Sequence, residues 1–310
     1  MMSDISYTTE EIASLLKVSK LTVYDLIKKG DLIAYRVGRQ MRVDAADLEA
    51  YKQRARGGVS PIRLDQPPSQ SSVSTADRDI VISGQDMALD ILTRHLEGHD
   101  GIRPLRSYIG SLNGLMAMYR GEAHIVSTHL WDGDTGEYNI PYVRKILVSH
   151  HYTIVNLVSR QAGLYVQKGN PKKLTGWSDL GRDDISIVNR EKGSGARVLL
   201  DEQLRLHRIA SSDVHGYQNE ESSHLGVAGA VASGCADTGV GIEKVAYVVG
   251  VDFIPLIQER YDLVILKTPD NTMLLDNLLR TLQSSAFQSE IKAIGGYDLT
   301  HTGKILYENR

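Results

Sequence analysis

Three serines in this 310-residue chain share one local pattern. Ser83, Ser111 and Ser194 each stand where an apolar, strand-like run gives way to a helical one, with glycine beside them at Gly84, Gly110, Gly193 and Gly195. That pattern is the sequence form of an anion site. The first turn of a helix carries unpaired N–H groups and the positive end of the helix dipole. Glycine lets the backbone come close to a ligand. Three such corners facing one cleft would hold a small oxyanion with neutral donors. Thr128, after a third strand, adds a hydroxyl. Arg197, in the first turn behind Ser194, offers a charged, two-pronged contact. Plainer roles stand beside these: Ser83 and Ser111 as helix caps, Arg197 in an ion pair with a nearby carboxylate. Arg190 and Lys192 read as solvated loop charges.

A second group has different chemistry. Ser19, Lys20, Thr22, Tyr24 and Lys28 fall on one short helix, and Arg36, Arg39 and Arg42 on the hairpin after it. From Lys17 to Arg42 there are seven Lys/Arg against two Asp/Glu, although the whole chain carries a formal charge of −3. A local basic excess on an otherwise acidic chain is the footprint of a nucleic-acid surface. The helix N-terminus suits a major groove, and hairpin arginines suit phosphates and the minor groove.

The elements that must position these groups follow from periodicity. Thr8 and Glu11 form a capping box for a helix from Thr9 to Leu16, with Ile12, Leu15 and Leu16 on its apolar face. Ser19 caps a second helix, Lys20 to Lys29, built on Val23, Leu26 and Ile27 and ended by Gly30. Two helices so close in sequence cross steeply, as in a helix-turn-helix. Leu32 to Val43 reads as a hairpin turning at Gly38, and Asp44 caps a third helix, Ala45 to Gln53. Arg54 to Asp77 is rich in Ser, Pro, Gly and Gln without periodicity, so it reads as a linker. We therefore divide the chain into residues 1–56, a linker 57–77 and a second domain 78–310.

From Asp79 the pattern is strand–helix alternation, which argues for a parallel sheet. Ile80 to Gly84, Arg106 to Gly110 and Ala123 to Ser127 are strands. A helix from Asp86 to Leu96, built on Met87, Leu89, Ile91 and Leu92, and one from Leu112 to Arg120 lie between them. Tyr152 to Ser159 and Gly163 to Gln167 are further strands, placed to cross between two lobes. Ile185 to Asn189 is a strand, and Ala196 to Leu206, Val227 to Ser233 and Ile242 to Val249 are helices. Phe253 to Leu256 and Tyr261 to Leu266 are late strands, before closing helices Leu274 to Leu282 and Ser285 to Ala293.

Other chemistry fits poorly. His124 and His129 lack a third metal ligand, and the adjacent His150 and His151 face opposite sides of a strand. Lys192 stands where a nucleophile elbow around Ser194 needs glycine. Gly239-Val240-Gly241 lacks the third glycine of a dinucleotide loop. Trp131 and Tyr217 suit a ring ligand such as a pterin, or simply the core. The single cysteine, Cys235, leaves no internal disulfide. No signal-like segment precedes Ser3 and no apolar run is long enough for a membrane span, so a cytoplasmic binding protein is expected, neither an enzyme nor a holder of a cofactor or metal.

Tyr7 to Ala13, Val18 to Tyr24, Gly30 to Leu32 and Val37 to Val43 resemble the excisionase-type helix-turn-helix, a group related to the MerR regulators. Ser83-Gly84, Gly110 to Leu115, Gly121 to His124, Asn189 to Arg197 and Ala236 to Gly241 resemble the type II periplasmic binding-protein fold. More narrowly, they look like its cytoplasmic form, found behind helix-turn-helix modules and beside molybdenum-cofactor synthesis domains. The resemblance implies an α+β winged helix-turn-helix N-terminal domain joined to an α/β two-lobed periplasmic-binding-protein-like domain. It implies a one-component regulator of double-stranded operator DNA with an oxyanion effector such as molybdate or tungstate, or a molybdopterin-like or other organic ligand. The implied ligand residues are Ser83, Gly84, Ser111, Thr128, Ser194, Gly195, Arg197 and Asp237. A homodimer is expected from two-fold operator geometry.

Overall fold

The computed structural model describes residues 6–16, 18–28, 32, 34–37, 40–45, 47–48, 51–52, 78–99 and 101–309. Gly30, Gly38, Arg39 and the expected linker 57–77 lie outside them. The chain divides into two compact units, Met1–Val73 and Ser74–Arg310.

In the first unit the capping box forms as the sequence spells it. Thr8 N donates to Glu11 Oε2 at 2.7 Å and Glu11 N to Thr8 Oγ1 at 3.3 Å. These bonds, backbone first, hold the Glu11 carboxyl below its usual range. They start the helix Thr9–Leu16. Ser19 Oγ accepts from Thr22 N at 3.1 Å and starts Lys20–Lys28. Strands Ser6–Thr8 and Tyr35–Val37 flank Gln40–Asp44 in a three-stranded antiparallel sheet. Ile12, Val23, Leu32, Val43 and Leu48 fill the small core between helices and sheet. Ala45, Asp47, Leu48, Tyr51 and Lys52 are helical, in the stretch whose sequence predicts a third helix.

The second unit is a mixed α/β clamp. Arg78–Ser83 pairs in parallel with Ile102–Ser107 on one side and Ile125–Thr128 on the other. The sheet continues, now antiparallel, through Asp252–Leu266 and Tyr152–Val166 to Thr238–Ile242. In the first lobe, Leu89 and Leu92 of the helix Met87–Leu96 pack on Leu278 and Phe287 from the closing helices. Leu115 and Met118 cover the other sheet face with Val143 and Leu147. The second lobe repeats the plan. Leu199 and Leu200 pack on Leu164 and Trp177, while Val227, Val231 and Ala246 pack on Tyr165.

The sequence pattern divides what the fold keeps whole. It predicts two apolar strands in 152–167 and two in 253–266. Each pair is one strand of 15 residues, and the two run side by side from lobe to lobe. Polar residues interrupt the apolar pattern at Ser159-Arg160-Gln161, yet Arg160 lies opposite Glu259 and the two neutralise each other. The strand expected over Ile185 to Asn189 forms only at Asn189–Arg190, with single bridges at Ser186 and Ile187. Met87, expected on the inner face of its helix, is 45% exposed.

Candidate functional site

Several helix N-termini meet where the two lobes touch. From the first lobe come Ser111, opening Ser111–Tyr119 behind its cap Gly110, and Gly84-Gln85, ahead of a helix capped by Asp86. From the second come Ser194, capping Gly195–Leu206, and His224, opening His224–Ala232 behind its cap Ser223. Between them lies a cavity of about 20 Å³, also walled by Ser127, His129, Arg160, Arg190 and Tyr261. That is room for one or two water-sized groups.

The lobes hold each other across this point. Leu112 N donates to Gly193 O at 2.9 Å. Arg190 Nη2 donates to Gln85 Oε1 at 2.8 Å, and Gln85 Nε2 to Glu191 Oε1 at 3.4 Å. Glycine makes the approach possible. A Cβ on Gly110 would meet Gly193 O and Ser194 Cα at 2.8 Å, and one on Gly195 would meet the His129 ring at 2.6 Å.

A buried ionic chain forms the floor. Arg160, 4% exposed, donates from Nε to Glu259 Oε1 at 2.6 Å and pairs through Nη1 with Asp86. Its guanidinium lies 4.4 Å above the Tyr261 ring, whose hydroxyl meets Ser127 Oγ at 2.7 Å. His129 Nδ1 stands 2.9 Å from Glu259 Oε2, and Tyr297 donates to Asp86 Oδ1 at 2.9 Å. Burial by itself would raise the Glu259 carboxyl. The positive charge of Arg160, then that of His129, overrides it and brings the group down to about 2. His224 is the opposite case. Burial, with Arg190 and Arg160 near, pushes it well below its usual value, so it is neutral at pH 7. Its Nδ1 is buried without a hydrogen-bond partner among the described residues. The cavity thus presents hydroxyls, helix-terminal N–H groups, a neutral imidazole and two guanidinium groups.

Of the residues expected from sequence, Gly84, Ser111 and Ser194 line the cavity. Ser194 Oγ caps its helix, accepting from Arg197 N at 3.3 Å, and Ser111 Oγ accepts from His129 N at 3.3 Å. Ser83 and Thr128 lie off the lining. Both are buried at strand ends with hydroxyl oxygens that have no partner among the described residues, and strand alternation puts Ser127, not Thr128, on the cavity side. Gly195 sits one residue behind and makes room for His129. Arg197 is taken by Glu220 at 3.0 Å, Asp201 at 3.3 Å and the Tyr217 ring at 4.2 Å. Asp237 accepts from Ser186 N and Oγ, both at 2.8 Å, and steadies a loop. Arg190, read as a solvated charge, is 4% exposed and on the wall. Sequence reasoning also missed Arg160 and His224. Arg160 is the one charge inside a long apolar run, and that was its available signal.

In the first unit, Ser19, Lys20, Thr22, Tyr24 and Lys28 lie at or on the second helix, with Arg36 in the hairpin. Lys20 pairs with Glu10 on the preceding helix. Arg42, next to the core residue Val43 in the central strand, stands by alternation on the sheet face away from the core, where it is half-buried and donates to Ser6 Oγ at 3.2 Å. Among the described residues no group of three or more His, Cys, Asp or Glu side chains is placed to hold a metal ion, and no helix is long and apolar enough to cross a membrane.

Residues 93–283 match the model of the PBP superfamily domain, and residues 6–56 that of a helix-turn-helix domain. The chain is 52% identical over 305 residues to the uncharacterized protein YvgK of Bacillus subtilis (strain 168), covering 98% of each. Two solved structures share the fold at 12% identity. A histidine kinase sensor domain with similarity to periplasmic binding proteins matches with a TM-score of 0.52, covering 72% of this chain and 98% of that one. A hydrogen-peroxide-bound cysteine mutant of OxyR from Corynebacterium glutamicum matches with a TM-score of 0.51, covering 93% of this chain and 89% of that one. The chain belongs to the PBP superfamily and carries a helix-turn-helix domain in front of that clamp.

Proposed function

From that membership, we propose that the chain is a one-component transcription regulator whose clamp senses a small anion. The supporting observation is the convergence of Ser111, Ser194 and His224, each at a helix N-terminus, with Arg160 and Arg190 on one small cavity between two lobes. An anion there gains charge-assisted hydrogen bonds of about 1.5–3 kcal/mol each, with about 0.3–1 kcal/mol from each helix end. Because both lobes contribute donors, the anion favours the closed clamp, and that difference in affinity is what a switch requires. The helix-turn-helix then reads operator DNA through Lys20, Thr22 and Lys28, with arginines of the hairpin on phosphates. Among anions, molybdate and tungstate are the first to test, since the clamp resembles that of molybdenum-related proteins.

The test is a thermal-shift scan of the full chain with molybdate, tungstate, sulfate, phosphate and acetate, followed by DNA-binding titrations with and without the anion that stabilises it. A ligand at 100 times its Kd adds about 2.7 kcal/mol. If none of these simple anions shifts the melting temperature, molybdate and its kin are excluded and a pterin or another organic ligand is favoured. If one does but DNA affinity stays the same, the regulatory coupling fails.

A further inference from the structure

The anion cavity has an apolar neighbour. On the far side of Gln85 and His224, which wall both spaces, the lobes leave a groove of about 470 Å³. Met87 and Tyr108 line it from the first lobe, and Leu225, Val245 and Val248 from the second. Four of these stand open to solvent: Met87 is 45% exposed, Tyr108 62%, Leu225 55% and Val248 61%. So much apolar surface around one concavity marks a binding site rather than chance exposure, and the volume is that of a small-molecule pocket, about 300–1,000 Å³. The inner cavity, about 20 Å³, takes only a head group.

We infer that the effector is an organic anion with an apolar body: its carboxylate or phosphate sits among Ser111, Ser194 and His224, and its ring or alkyl portion fills the groove between Met87 and Val248. This rests on the anion reading above and narrows it. Two features join the compartments. His224 walls both the cavity and the groove, and its Nδ1 is buried without a hydrogen-bond partner among the described residues, so a ligand that reaches it gains a hydrogen bond not made there. The groove also takes side chains from both lobes, so an apolar body is covered on two sides only when the clamp is closed. A bare oxyanion fills the inner part alone and leaves that apolar surface wet. The body thereby strengthens closure as well as affinity.

Calorimetric titration of the full chain with matched probes tests this: phosphate against phenyl phosphate, acetate against phenylacetate, molybdate as a bare anion and benzyl alcohol as a body without a head. Hiding part of one ring tightens binding by about tenfold or more, so at least one ring-bearing acid should exceed its own head group by that factor. In the variant Leu225→Gln/Val248→Gln, which removes apolar surface at exposed positions without adding charge, that advantage should shrink to within about twofold while bare-anion binding stays unchanged. If a bare anion binds and no ring improves on its head group, the narrowing is overturned and the anion reading stands. If no probe with a negative charge binds at all, the anion reading falls with it. If the double variant turns a wild-type dimer into a monomer without changing probe affinity, the groove is a subunit interface and the inference is wrong.

Discussion

Arg160→Met is the most informative perturbation of this clamp. The guanidinium neutralises two carboxylates, Glu259 and Asp86, whose side chains are 1% and 2% exposed. Methionine keeps the length and removes the charge. Stranding buried carboxylates after loss of their cation costs about 3–5 kcal/mol. The depression of the Glu259 carboxyl from 4.5 to about 2 corresponds to about 3 kcal/mol at 1.36 kcal/mol per unit. A domain of this size loses about 2–4 °C per kcal/mol, so the clamp's melting temperature should drop by about 6–20 °C at pH 7. The sign with pH is sharper. In the wild type the folded carboxyl is depressed, so its contribution is complete above about pH 4.5 and is lost as pH falls toward 2. Without Arg160, burial dominates and the folded value rises above the unfolded one, so stability is lost as pH rises. Calorimetry of both proteins between pH 4 and 8 should show the variant's deficit growing with pH. A deficit that is flat, or below about 1 kcal/mol, would mean that Arg160 is solvated and the ionic floor is not a closed network.

Gly110→Ala should leave the clamp folded but jam its closure, because the new Cβ meets the backbone at Gly193 and Ser194; anion affinity should fall about tenfold or more by calorimetry while the melting temperature without anion changes by a few degrees at most. His224→Gln should flatten the pH dependence of stability. His224 is held well below 6.5 in the folded protein, so the wild type is at full stability above about pH 6.5 and loses it as pH falls below that, and thermal melts should show the variant without this loss. Arg39→Ala should weaken binding to all DNA sequences and lower the salt slope of log K by about one unit, read by fluorescence anisotropy at several ionic strengths; an unchanged slope removes that residue from the interface.

Local rules carry the first unit almost entirely. Thr8 with Glu11 and Ser19 with Thr22 are caps that the sequence spells within four residues, and the structure forms them. In the clamp the parallel strands and most helices are legible from periodicity, as are the serine–glycine corners at Gly84, Ser111 and Ser194. The charges of the site are not. Arg160 and Arg190 look like solvent residues by type; Arg160 is buried by pairing with carboxylates 99 and 74 positions away, and Arg190 by its neighbour Glu191 together with Gln85, 105 positions away. Arg197 misleads for the converse reason. It does lie in the first helical turn, but Glu220 and the Tyr217 ring reach it from a later loop and turn it out of the cleft. Short-range pattern finds elements and caps, whereas partners supplied by distant chain decide which charge faces the ligand.

The two long strands also govern how the clamp is made. Tyr152–Val166 has Asp252–Leu266 along one side, and Ile305–Glu308 covers its first-lobe end on the other. On a ribosome the first of these segments emerges well before its partner and waits with a nearly continuous apolar edge exposed. The second lobe, whose buried core residues fall between positions 162 and 251, has that core in hand while the first is still lacking strands. The strand Ile305–Glu308 therefore covers an edge that would otherwise stay open, and removing it should leave a sticky margin that favours aggregation over function.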